Sequence, residues 1–158
     1  NNAGSNLTPG LKTEILGVPK GQRPDPSTYM SQADIDAHLA QFDDGAIRFA
    51  SADDVANYGT AGPNGGFVMP KSEFDNLVTQ SGGNMNIVEQ QLGLPTGSLS
   101  NGNTVALEIS PNDFKNLSVP SGNEVGVNSQ WVPGGYTSGG MPEAVMDFDG
   151  VPFTPIEF

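Results

Sequence analysis

The stretch Asp43-Asp44-Gly45-Ala46-Ile47-Arg48-Phe49-Ala50-Ser51 decides how this chain is read. Asp-Asp-Gly is a stop, because glycine takes the left-handed backbone that closes a helix without steric cost. Ala46 to Ala50 places apolar side chains on both sides of one arginine, and Ile47 and Phe49 favour a strand. Ser51 suits a helix N-cap, and Asp53 and Asp54 behind it suit the exposed amides of a first turn. A helix end, a strand and a helix start therefore fall within nine residues.

Upstream, Ser31 with Asp34 three residues on forms an N-cap pattern, and Ile35, Leu39 and Phe42 follow at helical spacing, which predicts a helix over 32–42. Downstream, the brief helix runs through Tyr58, Gly62-Pro63-Asn64-Gly65-Gly66 is a turn, and Phe67-Val68-Met69 a second strand. Helices are predicted at 71–80, with Phe74, Leu77 and Val78 on one face, and at 85–92, with Ile87, Val88 and Leu92, ending at Gly93. Thr104 to Ile109 is the clearest strand, and the apolar run from Ala144 to Phe148 begins as another. Helix, strands, helices and strands in this order give an α+β class. Prolines at 9, 19, 24 and 26 make residues 1–28 an extended lead-in, and 29–158 a single domain.

The chain has 158 residues, one domain's length, with a low apolar content of 35% and many glycines (21) and prolines (13). That composition predicts short elements and long loops. A net charge of −12 argues against a protein that holds nucleic acid through its phosphates and favours a basic partner. There is no cysteine, hence no disulfide or thiolate metal site, and a single histidine makes a zinc site a poor expectation. No apolar run approaches membrane-spanning length, and the start Asn1-Asn2 fits a piece of something longer. Gly-x-Gly-x-x-Gly after a strand, a Walker-type lysine loop and a Gly-x-Ser-x-Gly elbow are all absent.

Gly134-Gly135-Tyr136-Thr137-Ser138-Gly139-Gly140-Met141-Pro142-Glu143 is the stretch that most resembles a site: glycines that let backbone approach a ligand, hydroxyls, and one carboxylate at the mouth of a strand. Glu143 is either an ordinary exposed residue or a carboxylate placed to stabilise positive charge on a sugar carbon as a glycosidic bond breaks. Glu124, in Ser121-Gly122-Asn123-Glu124, is the other acid in a comparable setting. Arg48 either points to solvent, pairs with an acid, or uses its fork to grip a diphosphate or carboxylate. His38 is a structural histidine of the first helix or a general base. Trp131 is a core anchor or a stacking surface for a flat ring. Asp147-Phe148-Asp149-Gly150 starts like a calcium loop and lacks the closing acid, since residue 158 is Phe.

The run Pro19 to Tyr29, then Ile35-Asp36-Ala37-His38-Leu39, Gly45-Ala46-Ile47-Arg48-Phe49, Trp131-Val132-Pro133-Gly134-Gly135 and Gly140-Met141-Pro142-Glu143-Ala144-Val145, resembles the C-terminal toxin tips of bacterial polymorphic toxins of the Rhs and contact-dependent inhibition type. Within that group a strand arginine, the Gly66-Phe67-Val68 strand and a late acid heading a strand are similar to ADP-ribosyltransferase and NAD-glycohydrolase toxins. The resemblance implies a split, mainly antiparallel β-sheet with short helices packed on it. It also implies NAD as substrate, Arg48 on its diphosphate, and Glu143 on the nicotinamide ribose and the oxocarbenium-like transition state. Gly66, Phe67, Tyr136, Thr137 and Ser138 would line the pocket. Two departures stand out: Tyr136-Thr137-Ser138 replaces the Ser-Thr-Ser strand of arginine-type transferases, and Met141 replaces the first glutamate of the Glu-x-Glu pair. The resemblance further implies delivery into a target cell from a larger exported protein, a cognate immunity protein, and a macromolecule or water as acceptor. The alternatives are an RNA-cleaving toxin using His38 and a non-enzymatic extracellular interaction module.

Overall fold

A computed structural model describes residues 9–60, 62, 64–82, 84–92, 104–124, 127, 131–137 and 141–156. Their helices are α1 (Pro9–Leu16), α2 (Gln32–Leu39), α3 (Ala52–Tyr58), α4 (Lys71–Ser81) and α5 (Met85–Leu92). The strands are β1 (Ala46–Ser51), β2 (Gly66–Pro70), β3 (Thr104–Ile109), β4 (Ala144–Met146) and β5 (Thr154–Ile156). They form one antiparallel sheet in the order β4-β2-β1-β3-β5. The α+β class read from the element order is the class observed.

The local signals act as their chemistry dictates. Ser31 Oγ accepts from the Asp34 amide at 3.1 Å and starts α2, which tightens into a 3-10 turn over Ala40–Phe42. Ser51 caps α3, and Gly59, at φ 66°, closes it. On α4, Phe74 and Leu77 are buried and Val78 half-buried, whereas on α5 Val88 is buried and Ile87 turns partly outward. Gly93 lies outside the described residues.

Alternation along β1 sends Ile47 and Phe49 to one face and Ala46, Arg48 and Ala50 to the other. The first face packs with Met69, Phe74, Leu77, Val88 and Ala106, under α4 and α5. The second packs with Phe42, Val68, Leu107, Ile109, Met146 and Phe148. Both sides of the sheet are thus covered. Against that dry background a strand arginine has to be accommodated.

Residues before Tyr29 differ from the extended lead-in expected of their prolines. Pro9 occupies the first turn of α1, where a missing amide costs nothing, and Pro26 starts a 3-10 turn whose N-cap is Asp25. Ile15 of α1 is buried with Tyr29, Met30, Val119 and Trp131 in a third core cluster. Asn123 fastens the strap to the body: its Oδ1 accepts from the Gly21 and Arg23 amides, and its Nδ2 donates to the Arg23 carbonyl. Arg23 donates to the Gly122 carbonyl at 2.9 Å and lies 5.1 Å over the Trp131 ring. Trp131 is therefore a core anchor.

Gly122, at φ +95°, is where strap, loop and tryptophan meet, and a Cβ there would lie 2.6 Å from the indole and 2.7 Å from Arg23 Cδ. Gly122→Ala should destabilise the fold by about 2–4 kcal/mol, combining overpacking with a left-handed backbone penalty. Urea titration measures this, and an unchanged midpoint would contradict the packing of the strap.

Candidate functional site

The sheet is split at its centre. β1 pairs with β3 along all six residues, from Ala46↔Ile109 to Ser51↔Thr104, but with β2 only at Ala46↔Pro70 and Ile47↔Met69. Beyond Ile47 no further residues of the two strands pair. Backbone groups exposed by such a split need other partners. Arg48 supplies one, reaching across with Nη1 to donate to the Phe67 carbonyl at 3.1 Å.

A cavity of about 100 Å³ fills the gap, walled by Phe49, Phe67, Met69 and Pro142, with Arg48, Thr137 and Glu143 also lining it. Ninety-five residues separate Arg48 from Glu143 in sequence, and the divergence of β1 from β2 brings them to one cleft. A second cavity of about 510 Å³ is lined by Arg48, Phe49, Ser51, Asp54, Tyr58 and Thr60. Tyr58 is 75% exposed. Arg48 and Phe49 are common to both cavities.

The Arg48 guanidinium sits 5.3 Å over the Phe148 ring, with Nη2 2.8 Å from where a Gly62 Cβ would lie, so no larger residue fits at 62 without displacing it. Burial lowers its pKa to about 10, which leaves it cationic at neutral pH. A fixed cation in a low-dielectric setting is a stronger anion receptor than one in water.

Glu143 heads β4, just before Ala144. Its carboxylate Oε2 is shielded from solvent and has no hydrogen-bond partner among the described residues. Burial, and secondarily the charge of Glu124, push its pKa up to about 8. Glu124 is itself tied by the Ser121 amide, the Ser121 hydroxyl and the Gly122 amide. The two acids singled out in the sequence are thus electrostatic neighbours, one heavily hydrogen-bonded and the other with a buried, unpartnered oxygen. A bare carboxyl group in an apolar cavity is the type of group that catalytic sites set apart from structural ones.

The other expected lining residues divide. Phe67 and Thr137 line the smaller cavity. The Thr137 hydroxyl is already committed, donating to the Gln91 carbonyl and accepting from the Met141 amide at 3.0 Å, so it shapes the loop and offers no free hydroxyl. Gly66 lies outside the lining, in the ladder opposite Met146, and Tyr136 packs edge-on to His38 at 5.1 Å, also outside it. Ser138 lies outside the described residues. The cavity walls Phe49 and Pro142 were not anticipated, because only the splay of the strands turns them toward a common space.

His38 is 1% exposed. Its Nε2 lies 2.8 Å from the Glu143 carbonyl and its Nδ1 3.2 Å from Gln41 Nε2, and burial lowers its pKa. Both ring nitrogens are thus occupied in the core. Asp147 accepts from the Gly65 amide and from Asn116, and among the described residues no group of three or more potential ligands could hold a metal ion. Nor does any helix among them have the length and apolarity to cross a membrane.

No family model, characterised protein or solved structure matches this chain. The class that fold and site define is an α+β domain whose split sheet holds an arginine and a buried glutamate in one cleft.

Proposed function

We propose that the domain acts on NAD, as an ADP-ribosyltransferase or an NAD glycohydrolase. The observation that carries this reading is that Arg48 lines two cavities, with Glu143 lining the smaller. NAD has the matching layout: two ring-bearing ends joined by a diphosphate. The smaller cavity presents Phe49, Phe67 and Pro142 to the faces of a flat ring such as nicotinamide, and at about 100 Å³, below the roughly 150 Å³ of an engineered cavity that takes up benzene, it has to widen to admit one. The larger one suits the adenosine end, with the Tyr58 ring available for stacking. Arg48 then grips the diphosphate.

In the reaction the bond from the ribose C1′ to the ring nitrogen breaks, and its electron pair cancels the pyridinium charge. Nicotinamide leaves neutral and needs no proton. Positive charge develops on the sugar, and the ionised Glu143 carboxylate opposes it. Water then adds to C1′ and loses a proton, or a nucleophile on a target macromolecule takes its place. The pyridinium charge, entering beside Glu143, favours the ionised carboxylate that the empty cavity disfavours.

On this reading the domain is a secreted antibacterial toxin domain, delivered into a target cell from a larger exported protein and held in check by a cognate immunity protein. A net charge of −12 suits an inhibitor with a basic face. Purified protein incubated with NAD, with and without a bacterial lysate that supplies macromolecular acceptors, should release free nicotinamide, followed by chromatography, and leave tRNA intact. Absence of nicotinamide, with or without tRNA fragments, would end the NAD reading.

A further inference from the structure

Glu143 presents a puzzle of positioning, since its Oε2 is buried and has no hydrogen-bond partner among the described residues to aim it. Its orientation is set through its own peptide groups. The Glu143 amide donates to the Gly135 carbonyl at 2.8 Å, and the Glu143 carbonyl lies 2.8 Å from His38 Nε2. A carbonyl only accepts, so Nε2 carries the proton, and Nδ1 is left to accept from Gln41, which also donates to the His38 carbonyl at 3.1 Å. The imidazole is thereby locked in one tautomer and one orientation.

The glycine loop is built around this ring. Gly135, at φ +86°, runs so close that a Cβ would sit 2.7 Å from His38 Nε2. Tyr136 and Phe42 close on the ring edge-on, at 5.1 and 6.2 Å. The glycine that first suggested a ligand approach thus approaches a histidine.

We infer that His38 is a positioning residue for Glu143, holding the glutamate's backbone carbonyl so that its side chain, with Oε2 unpartnered, is kept at the cavity that Arg48 also lines. The catalytic consequence rests on the NAD reading, whereas the positioning itself does not. A displacement of about 1 Å in a reacting group can cost on the order of 100-fold in rate, so one backbone hydrogen bond has leverage here.

The test compares His38→Gln with His38→Asn. Both are polar and small enough for the site, but the glutamine amide reaches the place of Nε2 and the asparagine amide stops one bond short. Two readouts are taken on each variant and on wild type: the titration of the Glu143 carboxyl by carbon NMR, and the kcat and KM of nicotinamide release. His38→Gln should keep the elevated Glu143 titration and stay within about tenfold of wild-type kcat. His38→Asn should let the carboxyl group relax toward solvent, returning its titration toward the ordinary glutamate range. Its kcat should fall about 100-fold, with KM for NAD changed far less. Equal behaviour of the two variants in the Glu143 titration would overturn the inference. Wild type that releases no nicotinamide would refute the NAD reading alone, because the titration still reports whether His38 sets the carboxyl group.

Discussion

Glu143→Gln is expected to reduce nicotinamide release by at least about 100-fold while making the fold more stable at alkaline pH. The rate effect follows from removing the charge that opposes the developing oxocarbenium ion. The stability effect has a defined sign. Burial, with a smaller contribution from Glu124, raises the Glu143 pKa from 4.5 to about 8, so the folded chain holds this proton more tightly than the unfolded chain. The stability linked to that proton is fully present below the ordinary glutamate range. It is lost as pH rises toward and through about 8, by up to about 1.4 kcal/mol per pH unit. Glutamine does not ionise. Wild-type melting temperature should therefore decline from pH 5 to about 8, and the Gln variant should decline less and overtake it. Parallel profiles would show that the carboxyl group is not held bare in the cavity. The same ionisation should make kcat/KM climb with pH toward about 8, because only the carboxylate stabilises the transition state.

Arg48→Ala should cost both folding and binding. The substitution strands the Phe67 carbonyl that Arg48 now satisfies across the split, and it empties the space over Phe148 and beside Gly62. An unmet buried acceptor together with a truncated, packed side chain amounts to about 3 kcal/mol of destabilisation. Arg48→Lys separates the two effects, since it keeps the charge and most of the apolar stem but loses the planar fork. It should fold with a melting temperature close to wild type and show a KM for NAD raised at least about tenfold, with kcat changed less. A wild-type KM in the lysine variant would remove the diphosphate from the account of Arg48.

The fold was largely legible where local chemistry dominates. Ser31 and Ser51 fix two helix starts through bonds to amides three residues on, and β1, β2 and β3 are written in short apolar runs. Residues 9–28 were misread as extended, because the four prolines were weighed as breakers. Two of them, Pro9 and Pro26, sit in first turns where proline is tolerated, and Ile15 finds its burial against Trp131 more than a hundred residues away. The glycine run was read as a ligand-facing loop for a related reason. Its close approach is real, but the sequence does not say that the neighbour at Gly135 is His38.

By itself the sequence determined the α+β order, the apolar faces of α4 and β3, the strand arginine and the late glutamate, because each depends on residues within a turn or a strand of one another. Only the tertiary structure decided that β1 leaves β2 after two paired residues, that Arg48 fills the opening, and that Glu143 lines the same cavity. It also decided that His38 Nε2 meets the backbone carbonyl of Glu143. These depend on contacts between segments from about twenty to about a hundred residues apart, whose meeting is set by how the two sheet faces bury their side chains.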